Sequence, residues 1–450
     1  MKMSLTMKRY WYLILIGALF FWVLVYYWTY RVISVNIWDK WEVTTDYYNI
    51  ENTIDLFDST QVHEIKILMT DEEYKNMIDT YANTSEKDWY KTDVIIDWVL
   101  VSDVWIRLKW NRWLVWIKPI KWETPIDYSL KLPLFIHFDK YTNQTYQWHE
   151  MIVLRMEPDW WLFAEPYTYA LYHKMWQPAP DESYWLVEIN WGDKNLSIIS
   201  EIPEDKFYIK KWFGDDNWIL YKAWDLFDLV YLWENPMLYL NHFTQKTKIT
   251  DYDLSPLIRM LKFVAESDDQ EFEEKIDSYI DVKSVITLLA IDDFVGNRDW
   301  FWWSGSNYYL YYNIWEKKFY ILTWDQNVAF QAKWRWIIRF GVLWLMWLQK
   351  IPWSWSIFWD IWSDFSPWQI EITWFNVSKN LLKTRLLENE KFKWLYDEIY
   401  AEVKKIAIDS DFSRDFFKEW GNKFLKYWNT KGNERGIILV LMQVTDLYQY

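Results

Sequence analysis

GNRDWFWWSGSNYYLYYNIWEKKFYILTWDQN, residues 296–327, decides how the rest of the chain is read. Two Asp-bearing motifs, Gly296-Asn297-Arg298-Asp299 and Trp324-Asp325-Gln326-Asn327, flank two short strand-like runs at Tyr308–Tyr312 and Lys318–Thr323. Each Asp stands at the edge of a helix or strand beside a loop, and Asn307 and Asn327 lie close to them in sequence. Such oxygens can hold a hard divalent cation and leave one carboxylate to meet a substrate hydroxyl. Either Asp alone could simply cap a turn, as Asp and Asn often do. Two of them paired across one short hairpin favour a site.

Working outward, the N-terminal half is strand-rich. Glu64–Met69 alternates, and Thr70-Asp71-Glu72-Glu73 opens a helix with capping-box spacing. Asp93–Asp97 and Val104–Lys109 read as successive strands of a meander, with Trp98 near the bend. A further strand is expected over Tyr128–Phe138. A helix is expected over Ala164–Met175, followed by strands at Tyr184–Asn190 and Leu196–Glu201. Beyond Pro203 the texture turns helical over 254–293, gives way to the hairpin, and turns helical again over Leu381–Ile406 and near the C-terminus.

Forty Trp against nine Gly in 450 residues inverts ordinary usage, in which Gly makes up about 7% of residues. Trp stands where a chain turns: at 110 and 113, at 191 before Gly192, at 176 after a helix, and at 302–303 in a polar loop. Positive φ or close backbone approach at such places suits Gly and penalises a large side chain. The pattern fits a chain whose UGA codons are decoded as glycine but written as tryptophan. The alternative is a protein truly rich in Trp, such as an aromatic carbohydrate binder.

Net charge is −15 and no basic tract is present, which argues against nucleic-acid binding through phosphate neutralisation. The chain has no Cys, so disulfides, thiolate metal sites and a Cys nucleophile are excluded. Five scattered His form no His-x-x-x-His pair, and neither a nucleophile-elbow Ser nor a phosphate-binding Gly-Lys-Ser/Thr loop appears even with Trp read as Gly. Residues 10–30 carry no charge, follow Lys2, Lys8 and Arg9, and are long enough to cross a bilayer as a helix. An uncleaved anchor with the body outside is expected. A cleaved signal peptide is its rival.

Several segments in order resemble the spore-coat CotH kinase-like proteins. They are Ile106-Arg107-Leu108-Lys109-Trp110-Asn111, Tyr128–Phe135, Ser200-Glu201-Ile202-Pro203 and Trp218-Ile219-Leu220-Tyr221-Lys222, followed by the two Asp motifs with Asn307-Tyr308-Tyr309-Leu310. The resemblance implies an α+β, atypical protein-kinase-like fold of two lobes that transfers phosphate from ATP, with Mg²⁺ or Mn²⁺, to protein Ser or Thr. It implies Asp299 as the catalytic carboxylate, Asp325 as the metal-binding Asp, and Asn307 and Asn327 as completing the metal site. It also implies Lys131 as the phosphate-pairing lysine with Glu165 as its partner, and Glu201 at the adenine hinge. Lys109 and Lys222 remain rivals to Lys131. Asn327 replaces the family's second Asp, and Asn111-Arg112 replaces a Gly-Asn-Ser pattern; Trp324 is a Trp that the family itself carries.

The expected layout is an N-terminal anchor or signal over 1–33, a linker over 34–60, a strand-rich lobe over 61–203, a helix-rich lobe over 204–410 and a helical extension over 411–450. The expected acceptor is an envelope or cell-surface protein. A kinase-like surface adhesion or structural protein without catalysis is the other reading.

Overall fold

Alternating apolar residues close the N-terminal strands into a barrel. The structure, a computed structural model, describes residues 48–109, 114, 132–155, 163–214, 218–223, 229–248, 250–297, 299, 301, 305–330, 380–409, 411–416 and 418–420. The elements below belong to the unit formed by residues 46–248 and 253–450; residues 1–45 and 249–252 form a second unit.

Strand β1 (Tyr48–Ile50) is followed by β2 (His63–Leu68), helix α1 (Asp71–Thr84), β3 (Tyr90–Ile96), β4 (Val99–Leu108), β5 (Leu134–His137), β6 (Gln144–Tyr146) and β7 (Met151–Arg155). Helix α2 (Ala164–Lys174), β8 (Glu182–Ile189) and β9 (Asn195–Ser200) come next. The barrel runs in the order β2-β3-β4-β5-β7-β9-β8, and β8 closes on β2 in parallel with Ile65 opposite Val187. Outside the barrel, β1 pairs in parallel with β6.

Alternation along each strand sends Ile65, Ile67, Val94, Ile96, Ile106, Leu108, Ile136 and Leu154 into one apolar cluster, which Met77, Ile78 and Tyr81 of α1 join. Helix α1 starts with the capping box that the sequence announces: Thr70 accepts from the Glu73 amide, and the Glu73 carboxylate accepts from Thr70 N.

The same period of two points Phe135 of β5 and Val153 of β7 to the other face. There they meet a second cluster containing Trp218, Leu220, Tyr309, Tyr311, Leu322 and Trp324. All of these but Trp324, which directly follows β13, come from a four-stranded antiparallel sheet in the order β11 (Phe243–Gln245), β10 (Trp218–Ala223), β12 (Tyr308–Asn313), β13 (Lys318–Thr323). Helix α3 (Lys206–Phe213) contributes Tyr208 and Ile209 to that cluster. The remaining helices are α4 (Ser255–Glu266), α5 (Asp269–Lys275), α6 (Val282–Val295), α7 (Leu381–Glu388) and α8 (Glu390–Lys404). None of the described helices is long and apolar enough to cross a membrane; the apolar run at 10–30 lies outside the described residues.

Several details differ from the sequence reading. Of the strand expected over Tyr128–Phe138, Leu134–His137 is a strand and Leu132-Pro133 is not, Pro133 having no amide to donate; residues 128–131 lie outside the described set. The helix expected over 381–406 is two helices, because Asn389 turns its side chain onto the amides of Lys391 and Phe392 and caps a new start. Strand β10 carries no strand signal in the sequence, since its short apolar run has no decisive period.

Five described Trp, at 98, 148, 176, 191 and 233, have positive φ. Trp185 is instead wholly buried, stacked on His63 with ring centroids 4.5 Å apart, and donates its indole N–H to Ser183 at 2.7 Å. A cavity left in the fully buried barrel cluster would cost about 2–5 kcal/mol. Ile67→Ala is therefore expected to lower the unfolding free energy by that much, read as a lower urea midpoint at an unchanged slope of the transition.

Candidate functional site

Buried Arg155 sits where the barrel meets the four-stranded sheet. It ends β7, and its side chain is fully shielded from solvent. Nη1 lies 2.7 Å from a Glu165 oxygen and 2.8 Å from Asp325 Oδ1, while Nε lies 3.7 Å from Glu182. The guanidinium also stands 5.1 Å from the centre of the Trp324 ring. Burial disfavours the charged form, yet Glu165 and Asp325 outweigh it and raise the pKa of Arg155 well above its usual value.

Glu165, in the first turn of α2, holds the loop after β13 from the other side. Its Oε1 accepts from the Gln326 amide at 2.9 Å and from the Tyr169 hydroxyl at 2.8 Å. That hydroxyl in turn accepts from the Asp325 amide at 3.0 Å. Asp325 is thus fixed in the left-handed region at φ +58°, a conformation Asp tolerates better than most residues.

The two Asp loops of the sequence meet here. Asn297, just past the end of α6, donates to Gln326 Oε1 at 2.6 Å and accepts from the Asp299 amide at 2.9 Å. Phe330 N donates to the Val295 carbonyl at 2.6 Å. Asn307, at φ +56°, donates to the Asp299 carbonyl at 2.7 Å, and Ser306 donates to Asp299 Oδ1 at 3.2 Å. Asn327 is buried two residues beyond Asp325.

Around this frame the lysines crowd. Lys109, which follows β4, is buried with its ammonium 4.4 Å from the centre of the Phe135 ring and 5.0 Å from that of Trp324. Burial pulls its pKa far down, Lys222 and Arg107 add to this, and Glu204 opposes it. Lys222 of β10 is lowered to about 8 by burial and by Lys246 and Arg107, against the pull of Glu204 and Asp325. Lys87 is lowered to about 8 by burial and by Arg107 and Lys222. Glu204, despite burial, is held well below the usual carboxylate range by Lys246, Lys222 and Lys109, and accepts from the Tyr309 hydroxyl at 2.8 Å. Lys109, Lys222 and Lys246 therefore act on the one carboxylate of Glu204, and Arg107 and Lys87 stand near enough to Lys222 to add to the positive charge. An anion bearing several charges fits that excess.

The other sequence candidates fall as follows. Glu201 is buried at the end of β9, accepts from Lys211 Nζ at 2.6 Å and from the Asp181 amide at 2.8 Å, and is pushed up to about 7 by burial against the pull of Lys211. Lys131, the expected partner of Glu165, lies outside the described residues; among the described ones Arg155 Nη1 stands 2.7 Å from a Glu165 oxygen. Arg155 was missed because the short apolar run Met151–Arg155 carries no local motif. Its signal is a lone cation ending a fully buried run. Glu204 was missed because it looks like a solvated residue after Pro203.

Among the described residues no group of three or more His, Cys, Asp or Glu is gathered as metal ligands. The oxygens at hand are the Asp325 carboxylate and the nearby Asn side chains. That set suits Mg²⁺ or Mn²⁺ only together with phosphate oxygens, which is how Mg²⁺ commonly binds. A bound polyphosphate should raise the pKa of Lys222 and Lys87 from about 8. Binding is then expected to take up protons at about pH 8–9, read by calorimetry as an enthalpy that varies with the ionisation heat of the buffer. An enthalpy independent of buffer would count against lysine–phosphate contact.

The model of a family described as CotH kinase protein matches residues 127–431, well over half of the chain. Arg107 and Lys109 precede the matched span. No curated protein matches the chain.

Proposed function

The chain belongs to the CotH kinase protein family, and from that premise we propose that it transfers the γ-phosphate of ATP to Ser or Thr of another protein. The observation that carries this reading is the meeting of the two Asp loops beside a cluster of cations, of which Lys109 is buried and Lys222 half-buried. Phosphoryl transfer depends mainly on position and charge neutralisation, and a site of lysines, carboxylates and amides without His or Cys suits it.

Lys109 and Lys222 would meet the phosphates, with Glu204 opposing the loss of their charge to burial. Asp325 would hold Mg²⁺ or Mn²⁺ with help from Asn307 and Asn327; the metal would supply charge neutralisation on the phosphate oxygens. Asp299 would accept a hydrogen bond from the acceptor hydroxyl and orient it. Its main chain is already pinned through Asn297 and Asn307. Lys131 and Glu201 stay in the proposal as candidates for the phosphate and the hinge. The two lobes would divide near residue 203, between the barrel and the sheet. The apolar run at 10–30 would anchor the chain with its body outside the cell, facing envelope or surface proteins as acceptors and no nucleic acid.

Purified protein with labelled ATP and Mn²⁺ should label itself or an added acceptor. Asp299→Asn is expected to lower the rate by about 10²–10⁴-fold, the usual worth of a positioned acid–base group, while the rise in melting temperature with ATP persists. The second reading, a kinase-like surface scaffold without catalysis, draws on the Asn at 327 and the thin set of acidic ligands. A wild-type melting temperature that no nucleotide raises under either metal would favour the scaffold.

A further inference from the structure

The geometry points to Arg155 as a positioning residue that sets the metal-binding carboxylate, a role separate from phosphate binding; this inference rests on the kinase reading above. Its Nη1 is shared between Glu165 at 2.7 Å and Asp325 Oδ1 at 2.8 Å, and Glu182 flanks its Nε at 3.7 Å. One guanidinium thus faces three carboxylates, so its charge is taken up by the protein. Asp325 is also close enough to Lys222 to oppose the lowering of its pKa by burial. The helix carboxylate Glu165 is therefore served by a cation that reaches onward to Asp325 and fixes Oδ1. A lysine could offer only a point charge there, whereas a planar guanidinium holds two carboxylates at set angles. Glu165 completes the clamp by holding the Gln326 amide and, through Tyr169, the Asp325 amide.

The test compares wild type, Arg155→Met and Arg155→Lys. It reads the Mn²⁺ concentration giving half-maximal transfer at saturating ATP, and ATP binding in EDTA by thermal shift. Arg155→Met is expected to raise the Mn²⁺ requirement at least tenfold and to leave metal-free ATP binding within about threefold. Arg155→Lys should recover part of the loss. An unchanged Mn²⁺ requirement, or loss of metal-free ATP binding in its place, would overturn the inference. If Arg155→Met does not fold, Arg155→Lys decides: a Mn²⁺ curve identical to wild type overturns the role. A wild-type protein that neither binds ATP nor transfers phosphate overturns the kinase reading itself, a separate result.

A different observation carries a second inference. We infer that the native protein carries glycine at 98, 148, 176, 191 and 233, where the sequence is written with Trp. All five have positive φ and are exposed, Trp98 at 83% and Trp176 at 87%. Asp97-Trp98 is a two-residue loop between Ile96 and Val99, which pair across it, and both residues have positive φ. Gln147-Trp148, between the bridged Tyr146 and His149, and Asn190-Trp191 after β8 repeat the pattern. Hairpins of this kind take Asn-Gly or Asp-Gly. Trp176 follows helix α2 at φ +57°, a Gly position, and Trp233 at φ +115° lies in a region nearly closed to side chains. By contrast Trp185 and Trp324 are buried and in aromatic contact, and should be Trp in fact.

Peptide mass spectrometry of the protein from its native host reads each position directly. Glycine at the five sites with Trp at 185 and 324 is expected; Trp at the five sites overturns the inference. In a recombinant host, changing the five Trp to Gly should raise the melting temperature and soluble yield of the full chain. Equal or lower values would count against it.

Discussion

A single buried guanidinium holds the candidate site together. Arg155 ties the end of a barrel strand to the first turn of α2 and to the loop after β13, elements separated by up to 170 residues. Burying an ion pair often adds little net stability, because desolvation offsets the Coulombic gain. Its value here is geometric. Asp325 stays at a backbone angle that most residues avoid because Arg155, Tyr169 and the amide bonded to Glu165 leave it no alternative. Strain of this sort persists where its surroundings over-determine it, and such places are commonly functional.

The barrel makes that geometry possible. Its strands alternate so that Ile136 and Leu154 fill one cluster while Phe135 and Val153 turn outward to meet the sheet carrying Trp324. Lys109 rides on the same junction, sandwiched near Phe135 and Trp324, so the cation is set by apolar packing. Depressed lysines beside a fixed carboxylate are the electrostatic state expected of a site awaiting an anion.

Much of this was legible in the sequence. The capping box at Thr70 and Glu73, the helix at 164–174 and the hairpin ending at Thr323 are local features, set by spacing within a few residues. The pairing of the Asp299 and Asp325 loops was legible because a short hairpin separates them. Arg155 and Glu204 were not, because their meaning lies in partners distant in sequence; a lone Arg ending an apolar strand and a Glu after a Pro carry no local pattern. The Trp excess was readable from composition, but which Trp occupy glycine geometry needed backbone angles. Trp98, near a bend in the sequence reading, has positive φ and is exposed, whereas Trp185 is wholly buried.

The most direct test of the account is the electron paramagnetic resonance of Mn²⁺·ATP in the presence of the protein. If the Arg155-held Asp325 faces the phosphates beside Lys109 and Lys222, the spectrum should broaden on adding wild-type protein. With Asp325→Asn at the same concentration the broadening should be markedly smaller. A wild-type spectrum indistinguishable from free Mn²⁺·ATP, with the protein folded and in excess, would contradict the account.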